Sequence, residues 1–96
     1  MESFRKCLKS IDILIEYNKK LLDSAPSADL NFEIGNLYLF RAILVKNHTD
    51  RFDTSIEYSY KDAIPFLEEA IKMNQHIDSI GSLDVAIKGA NTFELE

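Results

Sequence analysis

A nine-residue stretch from Leu37 to Val45 (LYLFRAILV) contains a single residue that is neither apolar nor aromatic, Arg41. The stretch is too short to cross a bilayer, so it predicts the middle of a helix that neighbours bury on several sides. A guanidinium group cannot be neutralised, and a buried charge without a partner is costly. We therefore expect Arg41 either to reach water or to pair with a carboxylate inside the fold.

Size and composition predict one small globular domain, residues 1–96. A chain of 96 residues with 46% hydrophobic content can form one core but not two. Neither a secretory pattern nor a stretch of transmembrane length is present, so we expect a cytoplasmic protein with no membrane segment. Cys7, the only cysteine, cannot form an internal disulfide and is interpreted as a small core residue.

Charge is unevenly distributed along the chain. The net charge is -5, and residues 50–96 carry four basic against ten acidic side chains. A phosphate-binding surface needs clustered lysine and arginine, so this balance argues against a nucleic-acid partner. It favours solubility or docking to a basic protein.

Two helices are predicted in the first half. Apolar residues recur at steps of three and four over residues 3–23, which indicates a helix with one apolar face. A second helix over 29–48 can be capped at its start by Ser27 or Asp29. Gly35 lies inside this second helix at a cost of about 1 kcal/mol, which predicts close backbone approach to a neighbouring element.

The second half is predicted to be less regular. Proline is tolerated in the first turn of a helix, so Pro65 predicts a third helix over 62–75. The preceding residues 50–61 alternate between apolar and polar, which predicts an extended insert. Residues 82–95 fit either a short helix stopped by Gly89 or a β-hairpin. The predicted fold is therefore mainly α, a small bundle of three to four helices with an extended insert.

Two motifs resemble the helical hairpin of tetratricopeptide repeats, namely Ile34-Gly35-x-x-Tyr38 and the pair Ala63 and Ala70. The first is similar to the family's leucine-glycine-x-x-tyrosine step, and the second to the small residues of its second helix. Over residues 31–75 the chain departs from the family pattern at Asn31, where a large aromatic residue is usual. It departs again at Gln75, in the place of the closing proline. The resemblance implies a concave surface that binds a peptide or a partner helix.

Arg41 and His48 are seven residues apart, which places them on about the same face of one helix. Their spacing resembles the arginine–x(4–6)–histidine signature of HEPN-type ribonucleases, although Ala42 stands where that family usually has a polar residue. The resemblance implies that the arginine holds the scissile phosphate and the histidine transfers a proton. The competing interpretation is that Arg41 pairs with an internal carboxylate and His48 closes the helix, where a cation is favoured.

No metal or cofactor site is predicted. His48 and His76 are the only histidines, and neither has the spacing of a helical metal-ligand pair. The chain also lacks a glycine-rich phosphate loop and a serine nucleophile elbow. Glu68 and Glu69 point about 100° apart on a helix, which is typical of a solvated face.

The preferred candidate site is an aromatic and acidic surface in the extended insert, made of Phe52, Glu57, Tyr58 and Tyr60. Tyrosines that three helices cannot fully cover are candidates for a protein interface, or else for a lid that folds back over the core.

The predicted function is a non-catalytic protein-interaction module: an adaptor, a chaperone or an immunity-type inhibitor. One alternative is a HEPN-like ribonuclease, or its inactive relative, that uses Arg41 and His48. The other is a purely structural homodimer in which the alternating segments 54–60 and 83–87 pair between subunits.

Overall fold

Four helices follow one another in the computed structural model, which describes residues 2–48, 54–74 and 80–94. They are α1 (Glu2–Ser24), α2 (Ala28–His48), α3 (Thr54–Met73) and α4 (Ile80–Glu94). The described residues contain no strand. The predicted mainly α fold is confirmed, and the first two helices begin and end within one residue of their predicted bounds.

The start of α2 is fixed by Ser27. Its hydroxyl oxygen accepts a hydrogen bond from the backbone N–H of Leu30 at 3.0 Å, which satisfies one of the free donors of the first turn. The side-chain amide of the buried Asn31 donates to the Ser27 carbonyl oxygen at 3.0 Å and to the sulfur of Met73 at 3.4 Å. Of the two caps that the sequence allowed, Ser27 is therefore the one used.

The helices pack in chain order, with α2 and α3 in the middle. Among the described helices, α2 packs against α1 and α3, α3 packs against α2 and α4, and α1 packs closely on α2 alone. The Cα atoms span 37 × 31 × 17 Å, and a helix with its side chains is about 10–12 Å thick. The molecule is thus a thin slab with α1 at one edge, where no other described helix covers its outer side.

The extended insert predicted at 50–61 is wrong for the part that the structure describes, because α3 begins at Thr54. Residues 50–53 lie outside the described residues. Pro65 falls inside α3 rather than in its first turn. Pro65 is exposed, so water can solvate the backbone carbonyl that loses its helical hydrogen bond to the missing N–H. Residues 54–61 are helical because the helix buries a continuous stripe of side chains. One stripe, at steps of three and four, is buried along its length, namely Tyr60, Ala63, Leu67 and Ala70.

The C-terminal segment is a helix, so the hairpin alternative is wrong. Gly89 was expected to stop this helix but lies inside it, and Ala86 and Ala90 are buried one turn apart on the side that packs against α3. Because segments 54–60 and 83–87 are both helical, they have no strand edges through which two subunits could pair.

Close helix packing depends on two glycines. A Cβ atom added at Gly35 would lie 2.5 Å from Cδ2 of Leu67, a fully buried side chain of α3. A Cβ atom added at Gly89 would lie 2.5 Å from Cδ1 of the Tyr60 ring. The prediction that Gly35 marks a close approach is confirmed, and Gly89 performs the same role between α3 and α4.

A helix that crosses a membrane needs about 20 consecutive, predominantly apolar residues. Within the described ranges, no helix combines enough length with enough apolar character to cross a membrane.

Candidate functional site

The four residues of the predicted aromatic and acidic surface do not form one described surface. Phe52 lies outside the described residues, and Glu57 and Tyr58 lie in the first turns of α3. Tyr60 is only 6% exposed, and its ring packs against Gly89 of α4. Tyr60 therefore belongs to the core, where it cannot contact a partner, and a role for the other three stays a prediction.

Burial raises the pKa of Tyr60 above its ordinary value of 10.0, so the folded chain holds this proton more tightly than the unfolded chain. The contribution of this shift to the free energy of unfolding is complete below pH 10.0 and is lost as the pH rises through the raised pKa of the folded chain. We expect Tyr60→Phe to flatten the fall of the unfolding free energy above pH 10, as measured by urea denaturation at stepped pH. The exposed Tyr17→Phe is the matched control, and an equal slope in both variants would contradict the assignment.

Arg41 has the acidic partner that its position predicted. Its Nε donates to Oδ1 of Asp12 in α1 at 2.8 Å, and one terminal nitrogen donates to the hydroxyl oxygen of Ser59 in α3 at 3.2 Å. The arginine side chain is 22% exposed and that of Asp12 is 48% exposed, so the pair lies at the rim of the core. A single guanidinium on α2 thereby links α1 and α3.

These contacts bear on the chemistry that Arg41 and His48 were predicted to share. His48 is the last residue of α2, two turns beyond Arg41 on the same helix. An arginine that binds a phosphate usually donates two parallel hydrogen bonds from its guanidinium nitrogens. In Arg41, Nε already donates to Asp12 and Nη1 to Ser59. Binding a phosphate would therefore require Arg41 to exchange partners. Among the described residues, no group of three or more histidine, cysteine or acidic side chains is arranged to hold a metal ion.

A second contact across the helices involves Lys19 of α1. Its ammonium lies 5.3 Å from the ring centroid of Tyr38 and 5.8 Å from that of Phe66, and the two rings are stacked. A hydrogen bond with Tyr38 raises the pKa of Lys19, an effect that burial partly opposes. Lys19 therefore contributes cation–π contacts that link α1 to α2 and α3.

An exposed apolar surface on α1 was not predicted from the sequence. Four large apolar side chains of α1 are exposed, namely Ile13, Leu14, Tyr17 and Leu21. Five more are exposed on the other described helices, namely Phe40, Ile43, Met73, Val85 and Ile87. Leu14 and Leu21 belong to the apolar pattern that predicted one buried face over residues 3–23, yet both are exposed, as is Cys7. The prediction of Cys7 as a core residue is wrong because α1 has one packing partner, too few to cover so wide an apolar stripe.

An open depression of about 440 Å³ lies along this outer side of α1, between side chains of this one helix. We call it the α1 groove, and its described lining residues are Lys9, Asp12, Ile13, Glu16, Tyr17 and Lys20. Ile13 is 58% exposed and Tyr17 is 59% exposed, so both side chains are largely available to a partner. Their spacing of one turn places them on one side of the helix, where they form an apolar strip with charged residues along its edges.

Comparisons with known proteins add no relative. No protein-family model, no curated protein and no solved structure matches this chain. The contacts and exposures of its own residues therefore carry the functional proposal.

Proposed function

We propose that this chain is a non-catalytic protein-interaction module, and that its partner contacts the α1 groove. The observation that carries the proposal is the exposure of Ile13 and Tyr17, both above one half, side by side in a groove with charged edges. Large exposed apolar side chains within a charged rim are typical of protein-binding surfaces. Tyrosine is well suited to such a surface because its ring is apolar and its hydroxyl is polar.

Two sequence-based expectations are compatible with this role. The tetratricopeptide-like resemblance implies a helical unit that binds a peptide or partner helix. Its small residues Gly35 and Ala63 lie where α2 and α3 approach closely. Phe52, Glu57 and Tyr58 remain candidates for a second contact, through the acidic half of the chain. An adaptor, a chaperone and an immunity-type inhibitor would each use surfaces of this kind.

The ribonuclease alternative has less support from the described contacts. It requires Arg41 to hold a phosphate, whereas two of the nitrogens of this side chain donate to Asp12 and Ser59. The groove, in contrast, offers exposed apolar surface that no contact inside the fold explains. Binding is therefore the function that we propose.

Photo-cross-linking tests this proposal. The chain is expressed in its native host with p-benzoylphenylalanine at Tyr17, or at Glu69 as a control, since Glu69 is exposed on α3. We expect one cross-linked protein of defined mass from position 17 and none from position 69. Equal cross-linking from the two positions, or none from either, would contradict the proposal.

The partner identified in this way is then purified and its binding is measured. We expect Ile13→Asp combined with Tyr17→Asp to weaken binding by about thirtyfold or more, the loss typical of central apolar anchors. Glu69→Ala is the control and should bind as the wild type does. Unchanged binding by the double variant would place the interaction elsewhere on the molecule.

A further inference from the structure

We propose that α1 separates from the rest of the fold as one unit, in a salt-sensitive opening that leaves α2, α3 and α4 packed together. Proteins open locally in cooperative units whose free energies of opening lie below that of global unfolding, and units with few buried contacts open most readily. Three features of α1 point to such a unit: its position outside the buried core, its few buried residues, and the charged side chains that hold it. This opening goes beyond the proposed function and does not depend on it.

The buried core of the protein is built from the last three helices. Its cluster of buried residues includes Ala42 of α2, Leu67 of α3 and Ala86 of α4, each of them fully buried. Among the residues that the structure describes, none from α1 belongs to this cluster, although the partly buried Phe4 and Leu8 pack against it. Displacing α1 would therefore uncover one side of α2 and leave that cluster intact.

Few side chains of α1 are buried. Of the described residues in this helix of 23, Ile15 and Asn18 alone are buried. In comparison, α3 has 20 residues, and five of those that are described are buried. Packing of an apolar face supplies most of the stability of a helix in a protein. The contact that holds α1 closed therefore gains less from burial, per residue, than the packing of α3.

Charged side chains supply part of the contact between α1 and the other helices. Asp12 accepts a hydrogen bond from Nε of Arg41 at 2.8 Å, and Lys19 lies over the rings of Tyr38 and Phe66. The Asp12 side chain is 48% exposed and that of Lys19 is 37% exposed, so water and salt ions reach both. Salt screens exposed charges of this kind. The free energy that holds α1 closed should therefore decrease as the salt concentration rises.

The helix at the other edge, α4, is held by different contacts and provides an internal comparison. Its buried Ala86 belongs to the core cluster, and its Gly89 lies against the Tyr60 ring. Its ion pair between Lys88 and Asp84, at 2.9 Å, joins two residues of α4 itself. Salt should therefore weaken the packing of α1 on α2 more than the packing of α4 on α3.

Native-state hydrogen exchange of the purified protein, followed by NMR at a series of low urea concentrations, tests the proposal. Amides in the middle of α1 are expected to share one opening equilibrium constant, at least about tenfold larger than that of the α3 amides at Ala63 and Leu67. This opening should depend on urea, with a smaller slope than global unfolding, because it exposes less surface. Raising NaCl from about 20 mM to about 500 mM should increase the α1 constant about threefold relative to that of α3.

Asp12→Asn tests the contact that holds α1 closed. The loss of the carboxylate charge is expected to increase the opening constant of α1 about fivefold relative to that of α3, and to reduce its response to salt. Asp84→Asn is the matched control, because it removes an ion pair that lies within α4, and it should leave the α1 constant unchanged.

Three results would overturn the proposal. The first is exchange of the α1 amides at the free energy of global unfolding, since α1 would then belong to the same cooperative unit as the core. The second is exchange that does not depend on urea, which indicates fraying of single turns. The third is an equal response of α1 and α4 to salt, or an equal effect of Asp12→Asn and Asp84→Asn on α1, because the contact with Arg41 would then not hold the helix.

Discussion

Replacing Gly89 with alanine is expected to lower the free energy of unfolding by about 2 kcal/mol. The new Cβ atom would lie 2.5–2.7 Å from three atoms of the Tyr60 ring, and this ring is buried between α3 and α4. Overpacking of this kind costs about 1–3 kcal/mol or more, and we place this rigid aromatic contact at the upper end. Alanine recovers about 1 kcal/mol through its higher helix propensity. Urea denaturation followed by far-UV circular dichroism measures the difference.

Gly81 provides the matched control, because it lies in the same helix and a Cβ atom there would meet nothing within 4 Å. Gly81→Ala is expected to stabilise the protein by up to about 1 kcal/mol. A double-mutant cycle with Tyr60→Ala isolates the contact. If the ring causes the strain, the double variant should be more stable than the sum of the single effects predicts, by about 1 kcal/mol or more. Additive effects would assign the loss at Gly89 to another neighbour.

The sequence predicts those parts of the fold in which local pattern and tertiary packing agree. The periodicity of residues 3–23 locates α1 because part of its apolar stripe, including the buried Ile15, also packs against α2. Gly35 correctly indicates a close approach, since an interior glycine in a helix needs a packing reason. The carboxylate partner of Arg41 follows from the cost of a buried charge, although the identity of Asp12 depends on which helix packs beside α2.

The errors come from segments in which tertiary packing overrides local signals. Residues 54–61 alternate like a strand, yet they are helical because Tyr60 packs against α4 and extends the buried stripe of α3. The start of α3 was predicted too late in the chain, because Pro65 was assumed to lie in the first turn. A proline on the exposed side is tolerated inside a helix that packing stabilises. Gly89 was interpreted as a helix stop because the sequence does not show that it packs against the Tyr60 ring.

The α1 groove could not be predicted from the sequence, because periodicity does not reveal how much of an apolar stripe becomes covered. Leu14 and Leu21 follow the same spacing as the buried Ile15, and only the edge position of α1 separates them. Ile13 and Tyr17 did offer a signal. They lie on the side opposite Ile15 in a helix that could bury one face, so a large apolar pair there is unexpected for a solvated surface.

Replacing Arg41 with methionine is expected to lower the free energy of unfolding by about 2 kcal/mol while the fold is retained. Methionine keeps the apolar stem but removes the hydrogen bonds to Asp12 and Ser59. A hydrogen bond to a charged group contributes about 1.5–3 kcal/mol to the free energy of unfolding. The lower half of that range applies to the Asp12 contact, since this carboxylate is 48% exposed and solvent screens it. Denaturant unfolding measures the loss.

The same variant separates the structural role of Arg41 from the catalytic alternative. Asp12→Asn keeps an acceptor and is expected to cost less, about 1 kcal/mol, and the two substitutions together should cost less than the sum because they remove one shared contact. RNA cleavage is measured in parallel, well below the unfolding midpoint of each variant. If the wild type cleaves RNA and both Arg41→Met and His48→Ala abolish cleavage while folded, the ribonuclease is correct and the binding proposal is wrong. If Arg41→Met changes stability alone, its guanidinium serves to join α1, α2 and α3, and function must depend on surfaces such as the α1 groove.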